Sequence, residues 1–193
     1  MEALSVIVAE DEENLRKLIS AWLVNLGHRV LFEAADGAQA AQAALSMKPD
    51  LIIMDIKMPV MDGVEAVCLL DEMGCRTAVI FLSGLADSEI EERACQTRAM
   101  AFLRKPFNKE QLRPAIALAV SNHRRLQEAD QEIKSLSDKL DTRKKIERAK
   151  GILMKRHQLN EEDAFKRIHF TARSTNKTMG AISEAIITAS EII

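Results

Sequence analysis

Cysteine is scarce in this 193-residue chain. Cys68, Cys75 and Cys95 are odd in number, and no pair has metal-ligand spacing. That excludes a disulfide framework or a thiolate zinc site and leaves free thiols in a reducing compartment. Long apolar runs are missing too: none approaches the ~20 residues that a bilayer span needs. No basic stretch leading into an apolar one opens the chain, so no secretion signal is apparent and the protein is expected in the cytoplasm, away from membranes. Aromatic residues make up only 4%, with no tyrosine and one tryptophan. Beyond residue 120 there is no His/Cys metal set, no nucleophile–base pair and no glycine-rich phosphate loop. An enzymatic output is therefore not expected. From Asn108 to Arg156 the only proline is Pro114 and the only glycine is Gly151.

What is present is an ordinary soluble balance, 47% apolar and 29% charged. Its net charge of -2 hides an asymmetry. Residues 1–120 carry 12 lysines and arginines against 18 acids, whereas residues 121–193 carry 15 against 11. An acidic first part and a basic second part point to separate tasks.

Over residues 4–106 short apolar runs alternate with helical patterns. The runs at 4–9, 29–33, 51–54, 78–82 and 101–103 predict strands. The stretches 13–26, 37–47, 64–72 and 88–97, with apolar residues near helical spacing, predict the helices between them. That alternation predicts βαβ units and a parallel five-stranded sheet. The runs at 51–54 and 78–82 are continuously apolar, as strands covered on both faces are. Polar points then fall at strand ends: Glu10-Asp11 after the first, Asp55 after the third, Lys105-Pro106 after the fifth. In an open parallel sheet the carboxyl ends of the strands meet at one crevice. Three carboxylates and a lysine gathered there suit a divalent cation and a phosphoryl group, so the first part reads as a phosphorylation switch.

The series Glu10-Asp11, Asp55, Met58-Pro59, Asp62-Gly63, Ser83, Phe102 and Lys105-Pro106-Phe107 resembles the receiver domains of bacterial two-component response regulators, over residues 3–120. The resemblance implies a flavodoxin-like doubly wound α/β domain, a sensor histidine kinase as partner, and Asp55 as the phosphoacceptor that forms an acyl phosphate. It implies Mg²⁺ held by Asp11, Asp55 and the backbone carbonyl of Lys57, with Glu10 acting through water. Lys105 and Ser83 would stabilise the phosphoryl oxygens, and the Lys105–Pro106 bond would be cis. Ser83 and Phe102 would form the switch, reshaping residues 88–97, 100–103 and the start of the helix that follows. Glu10 stands where aspartate is common, and Phe102 lacks the hydroxyl of the tyrosine often found at its place.

After Pro106 the pattern becomes helical. Asn108 with Gln111 marks a helix start, and Pro114 predicts either a kink or a later start. Leu126, Ala129, Ile133, Leu136 and Leu140 recur at heptad spacing, a seam suited either to self-pairing or to packing of one amphipathic helix on the receiver. Breaks at 157–160 and 176–178 divide the remainder into three helical faces, with Asn160 capping the second. Three such faces can close a small bundle.

Within it, Arg148-Ala149-Lys150-Gly151-Ile152-Leu153-Met154, then Glu162-Asp163-Ala164-Phe165, then Ala172 and Asn176-Lys177, resemble the ANTAR domain of antitermination regulators. The resemblance implies binding of RNA hairpins in nascent transcripts and prevention of a terminator, with a homodimer at least when phosphorylated. Seven basic residues and one acid occupy 143–156, a cluster suited to phosphates. Arg143, Lys144, Arg148, Lys150, Arg173 and Lys177 are the candidate RNA contacts. Ala149, Ile152, Phe165, Ile168, Ile182 and Ile186 are expected in the core. Gly151, in mid-helix, costs about 1 kcal/mol relative to alanine. It calls for a close backbone approach by RNA or by a neighbouring helix, packing being the expected reason. The last helix has no lysine or arginine, which argues against a DNA recognition helix. A protein-interaction output remains the other alternative. The expected organisation is receiver 1–120, helical linker 121–142 and ANTAR domain 143–193, forming a response regulator that controls gene expression.

Overall fold

The computed structural model describes residues 2–84, 97 and 100–191. The chain divides into two compact units, 1–127 and 128–193.

In the first unit, strands β1 (Ser5–Ala9), β2 (Arg29–Ala34), β3 (Leu51–Asp55), β4 (Ala78–Ser83) and β5 (Ala101–Arg104) form a parallel sheet in the order β2-β1-β3-β4-β5. Helices α1 (Glu13–Asn25), α2 (Gly37–Met47) and α3 (Gly63–Glu72) connect them. The predicted helix at 88–97 lies outside the described residues, apart from Thr97 in a turn. Period-two alternation sorts each strand between two cores. Ile7, Ile52, Met54, Val79 and Phe81 pack beneath α2 and α3. Val6, Val8, Ile53, Ile80 and Leu103 pack beneath α1 and the first turns of helix α4 (Lys109–His157). Every residue of β3 and β4 is buried, as their unbroken apolar runs require.

Side chains mark the starts of the elements. Asp36 accepts from the Gln39 N–H to cap α2, and Asp62 with Glu65 forms a reciprocal capping box on α3. The unit boundary falls inside α4, between Gln127 and Glu128. Pro114 lies within that 49-residue helix, which begins at Lys109, ahead of the proline rather than at it. Along it Leu126 is half-buried, while Ala129, Ile133, Leu136 and Leu140 are exposed.

The second unit closes a small core from the end of α4, helix α5 (Glu161–Ser174) and helix α6 (Met179–Glu191). Ala149, Leu153, Ala164, Ile168, Ala172 and Ile182 are its buried residues. Asn160 caps α5 by accepting from the Asp163 N–H at 2.8 Å. At the other end Asn176 adopts φ 53°, and the N–H groups of Asn176 and Lys177 return to the carbonyls of Arg173 and Ala172. This left-handed stop is one asparagine tolerates better than most residues. Among the described residues no helix is long and apolar enough to cross a membrane.

Candidate functional site

The sheet order places β1, β3, β4 and β5 side by side, so the residues at their carboxyl ends converge. Glu10 follows β1, Asp55 ends β3, Ser83 ends β4 and Lys105 follows β5. Glu10, Asp11 and Asp55 each offer an oxygen within 4.8 Å of the others. Glu10 and Asp55 are buried and Asp11 is exposed, so the cluster opens to solvent on one side. Lys105 Nζ donates to Glu10 Oε2 and to Asp55 Oδ2, both at 2.7 Å.

One ammonium thus faces two buried carboxylates, and the imbalance shows in the titration of Glu10. Burial pushes the Glu10 carboxyl up to about 7 against the opposing Lys105 hydrogen bond, and the charge of Asp55 adds to the rise. Burial pulls the Lys105 ammonium down, but the hydrogen bonds to Asp55 and Glu10 and their charges outweigh it and hold Lys105 above the ordinary lysine range. Three hard oxygen donors in a solvent-open notch suit Mg²⁺, which keeps waters and takes one or two carboxylates.

The remaining expected residues fall around this centre. Lys57 is exposed, two residues past Asp55. Ser83 is buried, and its carbonyl accepts from the Lys105 N–H at 2.7 Å. Phe102 is 40% exposed, with its ring centroid 5.8 Å from that of Phe81. The Lys105–Pro106 bond is cis.

Two supporting residues have roles that the sequence pattern does not show. Arg16 of α1 donates to the Glu10 carbonyl at 2.6 Å and so pins the acidic turn. Nothing in a helical pattern distinguishes such an arginine from a solvated one. Gly63 stands out in the sequence only as part of a motif; the structure supplies its reason, since a Cβ there would overlap the carbonyl oxygen of Asp55. Val60, in the loop between, holds φ 68° although β-branched, a strained conformation for that side chain.

In the second unit Arg143, Lys144, Arg148, Arg173 and Lys177 are exposed. Lys150 is different, and the expectation that it contacts RNA is corrected. Its side chain is only 9% exposed and donates to Glu147 at 2.9 Å and Glu161 at 2.6 Å. The Glu161 and Glu147 hydrogen bonds hold its ammonium above the ordinary lysine range. Lys150 therefore ties α4 to the start of α5. The core expectation is corrected at Phe165, which is 44% exposed and stacks on His169 with ring centroids 6.4 Å apart. The packing explanation for Gly151 also fails: a Cβ there meets no described atom within 4 Å.

Comparison with known proteins agrees with this division. The response regulator receiver domain matches residues 6–117, and the ANTAR domain matches residues 134–187. The transcriptional regulatory protein PdtaR of Mycobacterium tuberculosis is 40% identical over 182 residues, 94% of this chain and 88% of its own length. Among solved structures, the receiver domain of a sensor histidine kinase from Pseudomonas aeruginosa carries a magnesium ion coordinated in its active site cleft. It is 30% identical with a TM-score of 0.56, covering 62% of this chain and 99% of that one. The response regulator domain of Thermotoga maritima CheB is 28% identical with a TM-score of 0.56, covering 62% and 98%.

Proposed function

This chain belongs to the response regulators, with a receiver domain followed by an ANTAR domain, and it controls gene expression; on that premise we propose that phosphorylation of Asp55 governs its binding to RNA hairpins in nascent transcripts. The observation that carries the reading is the double hydrogen bond of Lys105 to Glu10 and Asp55 beside the exposed Asp11. A nucleophilic carboxylate, a cation notch and a positive charge beside them are the parts phosphoryl transfer to aspartate requires.

A sensor histidine kinase would be the donor. The Asp55 carboxylate attacks phosphorus as the bond from phosphorus to the donor imidazole breaks, leaving an acyl phosphate on Asp55. Asp11, Asp55 and the Lys57 carbonyl would hold Mg²⁺, with Glu10 reached through water. The ion's contribution is to neutralise charge on the phosphoryl oxygens. Lys105 then exchanges the Asp55 oxygen for a phosphoryl oxygen, and Ser83 donates its hydroxyl to another. Displacement of Ser83 frees space for Phe102, now 40% exposed, to turn inward. The protein consumes no further substrate.

The output reading rests on exposed Arg143, Lys144, Arg148, Arg173 and Lys177, which supply phosphate contacts. Phe165 and the 73%-exposed Phe170 offer ring faces to unpaired loop bases. The exposed Ile133, Leu136 and Leu140 suit pairing with a second copy. A dimer would then engage two hairpins and raise apparent affinity without new contacts. Capture of the hairpins would prevent a terminator. The test is RNA binding before and after treatment with acetyl phosphate and Mg²⁺. Binding should strengthen in the wild type and stay unchanged in Asp55→Asn. Equal strengthening in both would remove Asp55 from the account.

A further inference from the structure

Gly151 lies inside α4, and after proline no residue favours a helix less. Nothing among the described residues requires it, because a Cβ there meets no atom of theirs within 4 Å. Its surroundings on the helix are not neutral. Lys144 lies seven residues before it, Arg148 three before and Lys155 four after, spacings that place all four along one stripe. The three cations are exposed. Glu147 is engaged with Lys150, and Lys144 keeps only a long, exposed pair with Asp141 at 3.8 Å. The stripe is thus a row of positive charge interrupted by bare backbone.

We propose that Gly151 is the seat of closest approach for a sugar-phosphate strand of bound RNA. The strand crosses α4 at Gly151, and phosphates on either side pair with Lys144, Arg148 and Lys155. A side chain at 151 would hold the strand away from all three. The inference rests on the RNA-binding reading and adds to it the place where the strand sits. A helix of a second copy could also press against a glycine. A symmetric contact at this stripe, however, would set its cations against themselves, which opposes association; a polyanion faces no such repulsion.

The test compares full-length wild type, Gly151→Ala and Gly151→Leu. Binding is read by anisotropy on a labelled pool of RNA hairpins with randomised loops, alongside thermal melting and sedimentation velocity. Gly151→Ala should melt at a higher temperature, since the space is open and alanine favours a helix. It should nonetheless bind RNA about tenfold more weakly, and Gly151→Leu more weakly still. Wild-type RNA affinity retained by both variants would overturn the placement while leaving the RNA reading standing. Altered self-association with unchanged RNA affinity would overturn it in favour of a contact between copies. Failure of the wild type itself to bind the pool would remove the RNA reading, and the placement with it.

Discussion

Lys105 Nζ stands 2.7 Å from Asp55 Oδ2, joining two residues 50 positions apart in the chain. The same nitrogen reaches Glu10 at equal distance. A single cation therefore holds together the ends of three strands.

Replacing Lys105 with methionine should remove both charge-assisted bonds and lower stability by about 2 kcal/mol. The loss should be larger at pH 8 than at pH 6: Lys105 pulls the Glu10 pKa down, so its stabilisation is realised where Glu10 is charged, and without it Glu10 either keeps its proton to higher pH or faces Asp55 unopposed. Urea unfolding at the two pH values checks this.

Glu10 itself gives a pH dependence of defined sign. Its folded value of about 7 lies above its ordinary 4.5. Between these values the folded chain holds a proton that the unfolded chain releases, so Glu10 favours folding as pH falls from 7 and opposes it above. Glu10→Gln should abolish that slope and raise stability at pH 8 by on the order of 1–3 kcal/mol. Mg²⁺ should bind the wild type more weakly as pH drops below about 7 and should displace protons near neutrality. Calorimetric titration in buffers of different ionisation enthalpy reads both effects.

Lys150 and its neighbours should separate by role. Lys150→Met should lower the melting temperature, since it unties α4 from Glu161. Lys144→Glu and Arg148→Glu should leave melting nearly unchanged. Each should weaken RNA binding and flatten its dependence on log salt by about one unit for every phosphate left without its cation. Melting curves and binding isotherms over a salt series are the measurements. Identical behaviour of Lys150 and Lys144 variants would refute the division.

Val60 is 88% exposed at φ 68°, so its side chain contributes strain and little packing. Val60→Gly should raise stability by ~0.5–1 kcal/mol, after the greater chain entropy of glycine in the unfolded state is set against relief of the left-handed backbone. Chemical denaturation would show it.

The site was legible where the period of two and the strand ends left little choice. Glu10, Asp55 and Lys105 each follow an apolar run, and a parallel sheet has only one carboxyl edge. The cap at Asn160 and the breaks before α5 and α6 were legible because caps and turns are local chemistry. The second unit hid more. Lys150, Phe165 and Gly151 all lie on amphipathic helices, and which face is buried depends on where α5 and α6 arrive. The pattern of α4 alone cannot show that Glu161 will claim Lys150. Nor can it show that Phe165 will stack on His169 at the surface. Arg16 was hidden for the same reason, since its partner is a backbone carbonyl with no signature in the residue code.

The most direct test of the account is hairpin affinity measured at constant salt with beryllofluoride and Mg²⁺ added, which mimic an acyl phosphate without a kinase. The account predicts tighter binding by the wild type and no change in Asp55→Asn or Lys105→Met. Affinity indifferent to the mimic in the wild type, with the mimic shown bound at Asp55, would contradict it.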